Sequence, residues 1–385
     1  MHLAPTEGQL RLRAELREYF GNLLPDGVPE DPAEQRALLR RIGADGLLGL
    51  GWPVEYGGQG RGPDEQFVFF DEAYRAGAPV SMVTLNTVGP TLMKYGTQEQ
   101  KDYFLPRILK GELVFAIGYS EPEAGTDLAS LRTRAVRDDE GWLIDGQKIF
   151  TSNAQNADWI WLACRTDPQA PKHKGISIIL VPTDAPGFAW TPIDTVGGLT
   201  TTATYYDSIR VPAGNLVGPE HGGWGLITNQ LNHERVALAA IGMQAEDFYQ
   251  GALDHARTPH PVTGERPADR PWVQSRLAEA HARLAAVRLL NWRLVQDVGA
   301  GTLAPGDASG VKFLGTESTV EVYRICQEVV GEEALIRGSG PEVFAGGELE
   351  RMNRAAQINT FGGGVSEVQR EIVAMMRLGM KGRKR

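Results

Sequence analysis

The sequence predicts an α+β protein in which a helical segment, a β segment and a second helical segment follow one another. Three observations predict it. Apolar residues recur at helical spacing up to Leu109. Short apolar runs separated by turn residues begin at Val114. Helical spacing returns from Gly222. The units are read as 1–113, 114–221 and 222–385.

Each element follows from local pattern. Thr6 starts a polar–apolar repeat through Leu10, Leu16 and Phe20, and a second helix runs through Glu34, Leu38 and Ile42. Gly57-Gly58-Gln59-Gly60 is a loop. Helical patterns resume from Pro63 to Tyr74 and from Glu99 to Leu109. Val114–Ile117 is the first strand-like run. Trp142-Leu143-Ile144 and Gln147-Lys148-Ile149-Phe150 flank Asp145-Gly146, which predicts a hairpin. Further runs at Trp159–Ala163, Ile176–Val181 and Thr202–Tyr206 complete a small antiparallel β domain.

Beyond Gly222, one helix is expected from Trp224 to about Tyr249. Pro259 to Pro271 is a loop. Val273, Leu277, Ala280, Leu284, Val287 and Leu294 keep one helical face. Val311, Leu314, Val322, Ile325 and Val329 keep another. No βαβ alternation and no G-x-G-x-x-G after a strand is present, which argues against a Rossmann dinucleotide site.

Composition excludes several function classes. The 385 residues are 42% hydrophobic, enough for a large core, and the net charge of −9 gives no basic field for nucleic acid. The basic tail Lys381-Gly382-Arg383-Lys384-Arg385 is short. Cys164 and Cys326 have no paired spacing, so neither a disulfide framework nor a CxxC metal site is expected. The N-terminus carries polar residues where a signal peptide is apolar, and no run reaches the ~18 apolar residues of a membrane span. A soluble cytoplasmic protein is expected.

The most informative residue is Glu234. It interrupts the apolar row Ile227, Leu231, Leu238, Ile241 and Ala245. Burying an unpaired carboxylate is costly and raises its pKa, which suits a general base near neutral pH. A buried structural ion pair explains the same pattern, although Arg235, as its direct neighbour, shares no helix face with it. His233 reads as a surface or interface residue, with no second histidine at metal spacing.

Two segments carry a family resemblance. Tyr119-Ser120-Glu121-Pro122-Glu123-Ala124-Gly125-Thr126-Asp127 is similar to T-E-P-x-A-G-S-D, and Gly146-Gln147-Lys148-Ile149-Phe150-Thr151-Ser152-Asn153 is similar to G-x-K-x-W-I-T-N. Both are signatures of the acyl-CoA dehydrogenases, and the chain resembles that family from about residue 90 to its end. Taken without it, the same residues read as a turn and a strand with local Ser and Thr caps.

The resemblance implies an N-terminal helical domain, a middle β domain and a C-terminal four-helix bundle. It implies FAD, with hydride passing from the substrate β-carbon to flavin N5 as a carboxylate removes the α-proton. It places Ile117, Gly118, Tyr119, Ser120, Phe150, Thr151, Ser152 and Glu367 at the cofactor, with Ser152 as the hydroxyl near N5. Phe150 stands where the family has tryptophan. Thr126 and Arg235 are assigned to the acyl-CoA.

Many members carry the base in a Y-E-G-T segment near the C-terminus. Here that stretch is Thr360 to Arg370, and the glutamate position is Gly363. A branch resembling isovaleryl-CoA dehydrogenase carries the base in L-E-R, which Glu234-Arg235 matches. The triple glycine 362–364 reads equally as a flexible turn or as room for a bulky acyl group, which makes Gly363 a substrate-binding candidate.

Homotetrameric members use R-x-x-F-G and Q-x-x-G-G segments of a neighbouring subunit for the ADP part of FAD. Here Arg257-Thr258-Pro259-His260-Pro261 lacks Phe-Gly, and Glu328-Val329-Val330-Gly331-Glu332 has carboxylates that would repel a pyrophosphate. Val365 also replaces a threonine. These departures resemble the actinobacterial steroid-degrading members, which are α2β2 heterotetramers of related chains. The expectation is a base-bearing subunit whose homologous partner completes the FAD site. Its substrate would be a cholesterol-type side-chain acyl-CoA, and its electron acceptor an electron-transfer flavoprotein or similar. The alternatives are a homotetrameric short branched-chain dehydrogenase, a flavin oxidase on the same fold, and a non-catalytic partner subunit.

Overall fold

The computed structural model describes residues 4–230, 242–338 and 340–380. Thr6 caps α1 (Glu7–Leu23): its hydroxyl accepts from Gln9 N while the Gln9 side chain accepts from Thr6 N, satisfying two first-turn donors. Leu12, Leu16 and Phe20 form the buried row. α2 (Pro32–Ala44) places proline directly after its Asp31 cap. α3 (Pro63–Arg75) is buried nearly all round, and its Phe67 meets Trp292 edge-on at 5.3 Å. A π-helical turn, Val83–Val88, runs into α4 (Gly89–Tyr95), a helix the sequence reading omits. α5 (Gln98–Leu109) closes the unit.

The middle strands are β1 (Phe115–Gly118), β2 (Arg134–Asp138), β3 (Gly141–Lys148), β4 (Trp159–Arg165), β5 (Ile176–Pro182), β6 (Phe188–Asp194), β7 (Thr200–Val211) and β8 (Leu216–Val217). Their order is β6-β7-β3-β2-β4-β5-β8, with β1 on β4. The sheet is mostly antiparallel. β1 and the start of β2 pair parallel to β4, because the long chain between β1 and β4 permits a crossover.

The Asp145-Gly146 hairpin does not form. Both residues lie inside β3, opposite a register shift on β7 where Ser208 takes φ 52°. Asp145 accepts from Ser208 N at 2.9 Å, and Gly146 takes φ 148° with no room for a Cβ against Thr133. Turn and bulge chemistry both favour such residues, so the pair alone does not decide between them. The actual turn lies between Asp138 and Gly141.

The two sheet faces divide the core by strand alternation. Trp161, Ala163, Ile176, Ile178 and Leu180 pack with the N-terminal helices. Ala116, Ile160, Leu162, Cys164 and Tyr206 form the opposite core. The burial pushes the Cys164 thiol up to about 12, and both cysteines are free.

The C-terminal helices are α6 (residues 223–230), α7 (Ala245–Arg257), α8 (Pro271–Gly299), α9 (Pro305–Val330), α10 (Glu348–Ala355) and α11 (Ser366–Met376). The helix expected from Trp224 to Tyr249 is not one helix: a 3₁₀ turn at Gly242–Gln244 precedes a separate α7. The expected α8 row is buried throughout, whereas Leu314 of the α9 row is 36% exposed. Arg75 ties the bundle to α3, donating to Asp71 at 2.8 Å, Met243 O at 3.0 Å and Glu246 at 3.1 Å. No helix among the described residues is long and apolar enough to cross a membrane.

Candidate active site

β1 ends at Gly118, whose missing Cβ leaves space for Leu162, Ile160 and the Tyr206 hydroxyl. Ile117 and Tyr119 pack on the helical side of the sheet. The chain then turns through Glu121 to Ala124, which exchange both backbone hydrogen bonds at 3.0 Å. The first signature is therefore a strand end followed by a closed turn.

The second signature is fastened to the first. Ile149 N donates to Ser120 O at 2.8 Å. Lys148, with a fully buried side chain, donates to Tyr119 O at 3.0 Å and to the Glu121 carboxylate at 2.8 Å. Glu121 also accepts from Arg132 N at 2.7 Å and Thr133 N at 2.8 Å. Burial pushes the Glu121 carboxyl up, but the Lys148 ammonium and these donors outweigh it and hold it below its ordinary value. Burial pulls the Lys148 ammonium below its ordinary value, opposed by Glu121.

Beyond β3 the backbone turns outward. Phe150 takes φ 61°, an uncommon conformation for a bulky residue, and is 61% exposed. Thr151 N donates to Thr202 O at 2.9 Å, and the Thr202 hydroxyl returns to Thr151 O at 2.6 Å. Thr151 itself is buried, its hydroxyl 3.2 Å from that of Thr204. The Ser152 hydroxyl lies 3.1 Å from that of Thr201. Thr126 is exposed in the loop whose Asp127 pairs with Lys172 at 2.6 Å.

The structure thus ties Tyr119 and Ser120 to Lys148 and Ile149, directly before Phe150, Thr151 and Ser152. It does not join them to the C-terminal candidates by any hydrogen bond or ion pair among the described residues. Gly363 is exposed at φ 66°. Its loop is held from below: Lys312 donates to Gly364 O at 2.7 Å and Gln369 to Gly363 O at 3.4 Å. Glu367 is exposed in the first turn of α11 behind Val365. Glu234 and Arg235 lie outside the described residues.

Sequence reasoning missed two features. The Glu121–Lys148 pair was signalled by alternation, since Lys148 has the parity of the inward-facing Trp142 and Ile144. The second is a polar chain inside the helical interface. Trp161 Nε1 donates to the Tyr119 hydroxyl at 3.1 Å, and Tyr119 donates to Gln230 Oε1. On the ADP side, the sequence reading has the Glu328 and Glu332 carboxylates repelling a pyrophosphate, and it names no partner for Glu328. Arg276 donates to it at 2.7 Å while also meeting Glu279 at 2.7 Å.

The fold and these two signatures define an acyl-CoA dehydrogenase, and the chain belongs to that family. The profiles for the acyl-CoA dehydrogenase N-terminal, middle and C-terminal domains match residues 6–112, 116–209 and 221–378. The chain is an oxidoreductase that dehydrogenates acyl-CoA. Among its relatives is acyl-CoA dehydrogenase FadE26 of Mycobacterium tuberculosis, 47% identical over 99% of both chains. Among solved structures, the Tcur3481-Tcur3483 steroid ACAD has a TM-score of 0.93 at 52% identity, over 99% of this chain and 100% of that one. The ChsE4-ChsE5 complex from Mycobacterium tuberculosis has a TM-score of 0.92 at 48% identity, over 99% and 100%.

Proposed function

We propose that this chain is the base-bearing subunit of a two-component, FAD-dependent dehydrogenase acting on a steroid side-chain acyl-CoA. The observation that carries the reading is its 52% identity, over 99% of its length, to the solved Tcur3481-Tcur3483 steroid ACAD, whose name joins two components. The units meet near residues 113 and 221, and the protein works in the cytoplasm with an electron-transfer flavoprotein or similar acceptor.

The residues present suit a flavin. Phe150 offers an exposed aromatic face, Ser152 an exposed residue with a hydroxyl, and Tyr119–Ser120 a strand end fixed against them. Bound FAD would supply the acceptor for the hydride leaving the substrate β-carbon. Ile117 to Ser120 and Phe150 to Ser152 would hold the flavin, with Glu367 contributing from the bundle. Thr126 and Arg235 hold the acyl-CoA, and Gly363 leaves room for its bulky end. Glu234 takes the α-proton onto its carboxylate as the Cα–H pair becomes the new double bond. Polarisation of the thioester carbonyl by hydrogen-bond donors stabilises the charge that develops. Gly363 has no side chain to compete as base.

The test is co-expression with a homologous partner, followed by flavin quantitation and turnover of a steroid side-chain acyl-CoA. The complex is expected to hold FAD and turn over, the isolated chain to do neither, and E234Q in the complex to be inactive. A chain that alone binds stoichiometric FAD and dehydrogenates acyl-CoA would overturn the two-component reading.

A further inference from the structure

CoA is the part of the substrate that membership of the family fixes, and its nucleotide end carries several phosphate charges. The chain's net charge of −9 repels such a group at long range, so a site for it needs a local excess of cations. One occurs beside Thr126. Lys172-His173-Lys174 forms the tip of the connection between β4 and β5, and all three residues are exposed.

The tip is fastened to the Thr126 loop from two sides. Asp127 pairs with Lys172 at 2.6 Å. Arg165, at the end of β4, donates to Lys172 O at 2.8 Å and to Ala129 O at 2.6 Å. Thr166 N closes the base of the connection, donating to Gly175 O at 2.9 Å, and Lys174 N donates across the tip to Pro171 O at 2.8 Å. A third segment meets them. The His173 ring lies 4.7 Å from the Trp224 ring of α6, at an interplanar angle of 68°. The approach to that helix is held by His221, whose N donates to Ser177 Oγ at 2.8 Å.

The position suits a phosphate site. Gly118, the last residue of β1, pairs with Leu162, and the parallel β4 runs on to Arg165, about 10 Å further at the usual strand rise. The tip therefore lies beyond the flavin segment Tyr119–Ser120, in the direction in which β1 runs. The pantetheine arm of CoA separates its phosphates from the thioester, so their site belongs away from the flavin. The cations of the tip are not equivalent. Lys172 is countered by Asp127, whose carboxyl it holds below the ordinary value. Lys174 has no ion-pair partner among the described residues, so it carries the uncountered charge.

We propose that the tip Lys172-His173-Lys174 binds the nucleotide end of CoA, with Lys174 on a phosphate and the His173–Trp224 pair against the adenine. The inference rests, for its neighbourhood, on placing the acyl-CoA at Thr126, and it is independent of the acyl group. Contacts so far from the reacting carbons hold substrate and transition state alike, so they act on KM and leave kcat.

The experiment uses the FAD-loaded complex with its partner chain. One steroid side-chain acyl group is supplied as its CoA thioester and as its pantetheine thioester, which lacks the nucleotide. Binding of free CoA, read by calorimetry, tests the tip without any acyl group. K174E is expected to raise KM for the CoA thioester, and Kd for CoA, by about five- to twentyfold, with a difference that shrinks in added salt. K174M removes attraction without adding repulsion and should show about two- to fivefold. H173A should weaken CoA binding by about five- to tenfold, with little salt dependence. For the pantetheine thioester, KM should stay at the wild-type value in all three. Equal losses on both thioesters in K174E, or none on the CoA form, would overturn the nucleotide site. A silent H173A would overturn the adenine contact. T126V should raise KM for both thioesters; if it is silent beside a selective K174E, Thr126 leaves the acyl-CoA and the nucleotide site stands.

Discussion

The two flanks of the proposed site are built differently. On the β-domain side, Tyr119–Asp127 and Lys148–Ser152 are cross-tied by a buried ion pair and a backbone hydrogen bond, and reciprocal Thr151–Thr202 bonds fasten the second segment to β7. On the C-terminal side, Gly363 and Glu367 are exposed, and their loop is held by Lys312, Gln369 and the Ser366 hydroxyl, which donates to Thr360 O. The first flank is tied together within the chain. The second presents carboxylates and glycines outward. The difference fits a site whose ring-binding half is preorganised here and whose outer half is finished by another polypeptide.

The largest expected effect comes from breaking the finished flank. K148M leaves the Glu121 carboxylate buried without its cation, which costs about 3–5 kcal/mol. A marked fall in the thermal unfolding midpoint and loss of FAD from the complex are expected. E121Q/K148M should recover part of both, because no lone charge remains buried. If K148M keeps wild-type stability and flavin content, the two flanks do not differ as described.

The same pair sets a pH dependence. The folded Glu121 carboxyl is held below its ordinary value, so its stabilisation is fully present above the unfolded value of about 4.3 and is lost as pH falls through the folded value. In K148M the opposing ammonium is gone, only the Arg132 and Thr133 N–H donors still act against burial, and the Glu121 carboxyl moves up from its wild-type position. Protonation then relieves the variant as pH falls. The stability gap between wild type and K148M should therefore narrow from pH 7 toward pH 4, measured by thermal unfolding across that range.

The contrast between flanks also explains what was legible in the sequence. The β-domain segments were readable because Tyr119–Asp127 and Gly146–Asn153 each keep their geometry through local turns and strands. Lys148 could have been placed inside from the parity of Trp142 and Ile144. The Asp145-Gly146 pair misled because a bulge and a turn draw on the same residues. β6 left no signal, since most of its residues are exposed and no alternation marks it. The π-turn Val83–Val88 left none either, as its Thr84, Asn86 and Thr87 are buried where the pattern calls for apolar residues. The Gln230–Tyr119 contact joins residues 111 positions apart, which no local pattern reports.

The less tied flank should respond more weakly. Lys312 is 6% exposed and holds Gly364 O. K312M removes a charge-assisted hydrogen bond worth about 1.5–3 kcal/mol and frees the glycine loop. We expect a smaller drop in midpoint than for K148M, with FAD retained by the assembled complex. The loss should appear as a higher KM for the bulky acyl-CoA and spare short acyl-CoA substrates. Equal losses for both would make the loop a plain turn.

The smallest effects are expected at the ADP-side carboxylates, and their order is informative. Glu328 accepts from Arg276 at 2.7 Å, so much of its charge is already countered. Glu332 is exposed and has no ion-pair partner among the described residues. Surface charges of this kind are worth about 0–1 kcal/mol. E332Q should therefore raise FAD affinity of the complex more than E328Q, each by no more than about fivefold, and the gain should shrink with added salt. Equilibrium dialysis at two ionic strengths reads both quantities. An equal or larger gain from E328Q would mean that Arg276 does not shield Glu328, and that repulsion alone keeps this chain from holding the dinucleotide.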